Sequence, residues 1–261
     1  MRTSRAKNWG KSSEVHPLME WTPLTIFTGT VSLTKMLIEQ ENMKTKYLLT
    51  IILTAALLTC ALHATETGSK ETIRVACVGD SITFGAGIPD RANNSYPAQL
   101  QRMLGAGWEV ANFGLNGRTL LNRGDAPYTK TPQYQAARSF QPDVVVIKLG
   151  TNDTKPQNWR HKNGFIGDYL SLINSFRKLE SKPVVWICKP VPVFPEQWGI
   201  KDSVVREEII PRIAVIARKA GVPVIDLYTP LKSHPELFPD KVHPNTAGAT
   251  KMATIVSEHL S

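Results

Sequence analysis

Cysteine is scarce in this sequence, with three residues in 261, at positions 60, 77 and 188. Cys77 and Cys188 each sit inside an apolar run, so they read as small buried hydrophobes and offer no disulfide framework. A membrane-spanning run is missing too. The apolar stretch from Tyr47 to Leu58 falls short of the roughly 20 residues a spanning helix needs. Dense charge is also absent. Lys and Arg number 31 against 22 Asp and Glu, a formal net charge of +9, but the excess is scattered. Without a basic tract, the chain lacks the electrostatic footprint of a nucleic-acid-binding protein. There is no internal repeat and no low-complexity tract, which excludes a solenoid or a long disordered linker.

The N-terminal quarter differs from the rest. Residues 1–42 are mixed and poorly periodic. Met43, Lys44 and Lys46 then precede the apolar run, and mostly small residues follow it to Ala64. A basic patch, a short apolar core and small residues make a secretory signal peptide over 43–64. Cleavage is expected after Ala64, with export to the periplasm or the outside. On this reading 1–42 is an N-terminal extension arising from an over-extended reading frame. The alternative is a genuine extension followed by an anchor through 47–62, which would bring in a membrane; Cys60 invites lipidation, but Thr59 before it is a poor match for such a site.

Residues 65–261, roughly 200 in number, suit one domain. The first 64 residues hold seven of the 31 Lys and Arg and four of the 22 Asp and Glu, leaving 24 against 18. After a polar lead-in over 65–71, β-branched apolar runs mark strands at 73–78, 108–113, 143–149, 183–188 and 222–227. Helical patterns fall between them at 96–104, 132–139, 165–179, 204–220 and 244–260, and 85–94 reads as a loop. Strands alternating with helices predict a three-layer α/β/α sandwich around a five-stranded parallel sheet, for which the order 2-1-3-4-5 is a common one. In that order the strands of Cys77 and Cys188 are separated by another, too far for a bridge.

Signals cluster at the carboxyl ends of the strands, where open α/β folds collect ligands. Gly79, Asp80 and Ser81 follow the first strand. Asn112 to Gly117 closes the second, Gly150 to Asp153 the third, and Asp240 to His243 lies between the fifth and the last helix. Acyl transfer needs a nucleophile, a base to take its proton and a carboxylate to orient the base. Ser81, His243 and Asp240 supply them, with Pro244 expected as the first residue of the last helix. The backbone N–H groups of Ser81 and Gly117 and the amide of Asn152 are donors of the kind an oxyanion requires.

These four blocks, in this order and strand context, resemble the SGNH (or GDSL) hydrolase superfamily over essentially all of 73–261. Gly79-Asp80-Ser81 matches the first block, Gly117 the glycine of the second, Asn152 the asparagine of the third, and Asp240 and His243 the Asp-x-x-His of the last. The resemblance implies ester hydrolysis through a serine acyl-enzyme on a flavodoxin-like sheet, with no metal or cofactor. The Gly-x-Ser-x-Gly elbow of α/β-hydrolases is incomplete, because Thr83 stands where its second glycine would be.

Competing residues have plainer readings. His161, His234 and His259 read as surface or local-pairing side chains. Asp80 and Asp153 read as braces for their loops, and Asp226 as a distant substitute for Asp240. Trp159 and Trp198, both after strands, could stack on a sugar or pack under prolines, and Arg118 could meet a substrate or only solvent. No long apolar insert is available to build a fatty-acyl tunnel. The expected substrate is therefore a short acyl ester, acetyl on carbohydrate, by analogy to glycan O-acetylesterases. A lysophospholipase or thioesterase of the same fold remains open, as does a glycan-binding module without catalysis. A Ser81 to His243 distance of about 2.6–3.2 Å separates the last from the others.

Overall fold

The computed structural model describes residues 24–64 and 72–261, excepting the side chains of 24–31 and 56–64. The chain divides into two units, Met1–Ser69 and Lys70–Ser261. In the first, α1 (Leu24–Ala64) is one helix that runs through the boundary expected at residue 42. Its described side chains, 32–55, are all exposed. No helix among the described residues is long and apolar enough to cross a membrane. The start of the N-terminal extension, the side chain of Cys60 and the lead-in at 65–71 lie outside the described residues.

The second unit runs β1 (Ile73–Gly79), α2 (Ser81–Phe84), α3 (Arg91–Asn94), α4 (Tyr96–Leu104), β2 (Trp108–Gly114), α5 (Pro132–Ser139), β3 (Val144–Lys148), α6 (Pro156–Trp159), α7 (Phe165–Arg177), β4 (Val184–Lys189), α8 (Asp202–Val204), α9 (Ile210–Ala220), β5 (Val224–Asp226) and α10 (Thr246–Leu260). All sheet pairs are parallel, in the order β2-β1-β3-β4-β5. Alternation along each strand sends side chains to opposite faces. Ala76, Val78, Val145, Ile147 and Val185 pack with Phe165, Ile173, Phe176, Ile213 and Ile216 of α7 and α9. Val75, Cys77, Val146, Cys188 and Ile225 pack with Leu100, Met252 and Val256 of α4 and α10. Both faces are covered, which is why the strands read as continuous apolar runs. The two cysteines are buried and free, on strands separated by β3.

Three elements differ from the sequence expectation. The segment 85–94, expected as a loop, carries the single turn α3 at Arg91–Asn94. The helix expected over 204–220 contains a π turn at Val205–Ile209 between α8 and α9. Pro211 lacks the N–H that would bond Glu207 and its ring crowds that carbonyl, so the turn before it widens. The last helix begins at Thr246, after Pro244. Asn245 caps it, its side chain accepting from the Gly248 N–H at 2.9 Å, because Asn is a strong cap and Pro is not.

Candidate active site

The nucleophile turn is built from β1 outward. The strand ends at Gly79, Asp80 caps the single turn α2, and its Oδ1 accepts the Ile82 N–H at 3.0 Å. A Cβ at Gly79 would overlap the Thr83 hydroxyl and come within 2.6 Å of the Lys148 carbonyl. Thr83 therefore occupies space that only a glycine at 79 leaves. Below the turn, at the end of β3, Lys148 is fully buried. Its ammonium donates to both oxygens of Asp80, at 3.1 Å each, and to Thr151 Oγ1 at 2.8 Å. Burial draws this lysine below its ordinary pKa, and the Asp80 carboxylate opposes the change. Three donors meet three acceptors, so the charge is fully used. The lysine thereby ties the nucleophile turn to the turn carrying Asn152.

His243 Nε2 lies 2.7 Å from Ser81 Oγ, and its Nδ1 lies 2.7 Å from Asp240 Oδ2. Asp240 Oδ1 also accepts the backbone N–H groups of Val242 (3.0 Å) and His243 (2.6 Å). Lys241, between carboxylate and imidazole, takes a positive φ of 76°, backbone strain of the kind that clusters at functional turns. Burial raises the Asp240 carboxyl, but the bonds from His243 and Val242 outweigh it and leave the group below its usual pKa. It is an anion placed to hold Nδ1 protonated and Nε2 facing the serine.

Among the described groups, neither the Ser81 nor the Gly117 N–H has an acceptor. Gly117 has φ 75° and open space beyond its Cα, which lets a ligand approach the backbone. Asn152 is buried, and its amide gives one bond to the Arg118 carbonyl at 3.1 Å, leaving its second N–H available. Next to it, Asp153 accepts from the N–H groups of Leu120 (2.9 Å) and Leu121 (2.8 Å). Burial pushes the Asp153 carboxyl up to about 7, against the pull of those N–H groups. A carbon NMR titration of this carboxyl is expected to show a midpoint near 7; a midpoint near 3.8 would contradict it. The folded chain then holds the proton more tightly than the unfolded one. The residue's contribution to stability accordingly falls as the pH rises from about 4 to about 7.

Ser81, Gly117, Asn152 and His243 open on a cavity of about 230 Å³. Ala86, Asn116, Lys155, Trp198 and Ile200 complete its lining. A larger recess of about 360 Å³ beside α4 holds no part of the Ser81–His243–Asp240 chain. Trp198 is 56% exposed, and its ring centroid lies 5.7 Å from that of His243. It stands on a tight hairpin, with Gln197 and Ile200 bonded to each other and positive φ at both Trp198 (52°) and Gly199 (73°). Positive φ at both central residues is the pattern of a type I′ turn, unusual for an aromatic. The loop is pinned at both ends, Phe194 N–H to Lys241 O at 2.8 Å and Lys201 N–H to Thr154 Oγ1 at 3.1 Å.

The other two residues expected to touch substrate lie elsewhere. Trp159 is buried in the core, edge-on to Phe165 with the Arg212 guanidinium 5.2 Å from its ring centre; Pro156 starts the short helix that turns it inward. The Arg118 side chain folds back to the Asn116 carbonyl at 2.9 Å, and its own carbonyl holds Asn152. Asp226 is occupied by Lys189 at 2.7 Å and by Tyr228 and Thr229. His234 pairs with Glu236, His161 with Arg160, and His259 with the Ile255 carbonyl. Sequence reading passed over Lys148, Lys155 and Asn158. Asn158 is fully buried and braces Asn152 by donating to its carbonyl at 2.9 Å. Among the described residues, no cluster of His, Cys, Asp and Glu could hold a metal ion.

The pattern of the GDSL-like lipase/acylhydrolase family matches residues 77–251, more than half of the chain. The chain belongs to this family. Over 206 residues it is 43% identical to an acetylxylan esterase of Xylanibacter ruminicola, covering 72% of this chain and 43% of that protein. Over 203 residues it is 27% identical to a cellulase/esterase of Acetivibrio thermocellus, covering 69% of this chain and 24% of that protein. The chain thus spans less than half the length of either relative. Among solved structures, the aryl esterase of M. smegmatis superposes with a TM-score of 0.57 at 22% identity, covering 72% of this chain and 98% of that one. A carbohydrate acetylesterase from Sinorhizobium meliloti gives 0.55 at 19% identity, with 72% and 98% covered. At such identities these two speak for the fold, and the five-stranded GDSL-family sheet is the shared feature.

Proposed function

We propose that this GDSL-family protein is a serine esterase that removes short acyl groups, acetyl foremost, from carbohydrate. The observation that carries the proposal is the continuous hydrogen-bond chain Ser81–His243–Asp240 opening on a small cavity. Ligand pockets for drug-sized molecules typically run about 300–1,000 Å³. A cavity of about 230 Å³ suits an acetyl group and the sugar carbon that bears it better than a fatty chain. The acetylxylan esterase similarity supports the same substrate class.

The chemistry follows from the geometry. His243 Nε2 takes the Ser81 proton as Oγ attacks the ester carbonyl, and Asp240 stabilises the resulting imidazolium. The tetrahedral oxyanion is met by the free N–H groups of Ser81 and Gly117 and the second amide hydrogen of Asn152. One such donor is typically worth about 2.7–4 kcal/mol of barrier. The C–O bond to the sugar breaks, the sugar oxygen leaves with the proton from His243, and an acetyl-serine remains. Water, deprotonated by His243, then releases acetate and restores Ser81.

Exposed beside the imidazole, Trp198 serves as the platform for the sugar ring. Replacing it with Ala is expected to lower kcat/KM on an acetylated oligosaccharide about tenfold more than on p-nitrophenyl acetate, since stacking is lost and acyl chemistry is retained. Equal losses on both would contradict that role. The function itself is tested with p-nitrophenyl esters of increasing chain length alongside acetylated glycans. An acetylesterase loses activity steeply beyond two to four carbons. Activity rising with chain length would favour a lysophospholipase or thioesterase instead. The signal-peptide pattern of 43–64 supports export, and sequencing the N-terminus of the exported protein tests it; a start at residue 1 would contradict cleavage.

A further inference from the structure

The catalytic cavity holds a charge that the proposed mechanism does not use. Lys155 follows the Asn152 turn, its N–H bonded to the Asn152 carbonyl at 3.4 Å and its own carbonyl accepting from Asn158 and Trp159 at 2.9 and 2.8 Å. Pro156 behind it holds its backbone extended, with ψ 136°. The backbone is thus fixed to the same turn that positions the oxyanion amide. Its side chain is half-buried on the cavity wall, with no hydrogen bond or ion pair to a described residue. No carboxylate lines the cavity. The acids on the segments that line the cavity are committed: Asp80 to Lys148, Asp153 to two backbone N–H groups, Glu196 to Lys201 at 3.6 Å, Asp202 to the Val193 N–H and the Tyr228 hydroxyl, and Asp240 to His243.

An ammonium partly removed from water without a partner is unfavourable in the free protein. It is retained usefully where a bound ligand supplies the anion. The acetyl ester is neutral, and the transient oxyanion already has three donors in Ser81, Gly117 and Asn152. We infer that Lys155 binds a carboxylate on the glycan, so that the favoured substrate is an acetylated acidic sugar of the uronic-acid class. This inference rests on the carbohydrate esterase reading and names its substrate class. Trp198 takes the sugar face, Lys155 takes the carboxylate, and the two together orient the ester toward Ser81.

The test uses an oligosaccharide that carries one O-acetylated glucuronic acid and the same molecule with that carboxylate methyl-esterified, which removes the charge at nearly constant shape. For the wild type at low salt, kcat/KM is expected to be about tenfold higher for the acid, the scale of one charge-assisted hydrogen bond. The ratio should shrink toward one in about 0.5 M NaCl. Lys155→Met, which keeps the length of the stem, should bring the ratio to one at any salt, and Lys155→Arg should preserve most of it. A wild-type ratio near one overturns the inference, as does a Lys155→Met variant that loses activity on both substrates equally and keeps the ratio. If neither oligosaccharide releases acetate while p-nitrophenyl acetate is hydrolysed, the carbohydrate reading falls and this inference with it. Acetate released from both at equal rates overturns the inference alone.

Discussion

Ser81→Ala is expected to lower kcat on p-nitrophenyl acetate by about 10⁴–10⁶, the range seen when a catalytic serine is removed from a working triad. The loss should fall on kcat with little change in thermal stability. Ser81 contributes a small hydroxyl whose bond to His243 is replaceable by water at the cavity mouth, and the packing of α2 rests on Ile82 and Thr83. The residual rate should remain above that of free solution, because the oxyanion donors and the cavity persist. A variant retaining a tenth or more of the wild-type kcat would mean that another group attacks the ester.

The second large effect concerns stability. Lys148→Met is expected to destabilise the fold by about 3–5 kcal/mol, because Asp80 is left charged, fully buried and without its counter-ion. Against a typical total of about 5–15 kcal/mol, that is a substantial share. For a domain of this size it lowers the midpoint of thermal unfolding by roughly 10 °C. The double variant Asp80→Asn/Lys148→Met should recover part of the loss, because the uncompensated charge is gone. kcat should also fall in Lys148→Met measured well below its unfolding temperature, since Asp80 caps the nucleophile turn and Thr151 borders Asn152. A shift of less than 1–2 °C, with no recovery in the double variant, would contradict the buried-pair account.

Much of this was legible in the sequence because central parallel strands leave continuous apolar runs. The strands and the helices at 96–104 and 132–139 follow from that patterning, the sheet order is the one common to doubly wound folds, and the four strand-end blocks announce themselves as clusters of Gly, Asn, Asp and Ser. The misses have physical causes. Lys148 sits at the end of an apolar run and passes for its edge. Yet a lysine in a strand covered on both faces requires a buried acid, and Asp80 at the end of the next strand is the available one. Trp159 and Trp198 look alike in one dimension. Burial separates them: Pro156 starts a turn that sends Trp159 into the core, while Gly199 permits the left-handed hairpin that holds Trp198 out. Pro244 suits a first helical position, but the neighbouring Asn245 is the better cap and sets the start at Thr246. Lys155 carries no signal in one dimension, because its role comes only from its place on the cavity wall.

Family membership extends over residues 77–251, and the chain spans less than half the length of the two curated relatives. The site is self-contained within the second unit, from Ser81 to His243, and its account rests on one covalent event. Incubating the protein with an ethyl p-nitrophenyl phosphonate and mapping the adduct by peptide mass spectrometry tests that event most directly. Stoichiometric labelling at Ser81, in step with loss of esterase activity and absent from Ser81→Ala, is the predicted result. Inactivation with the label on any other residue, or full activity with Ser81 labelled, would contradict it.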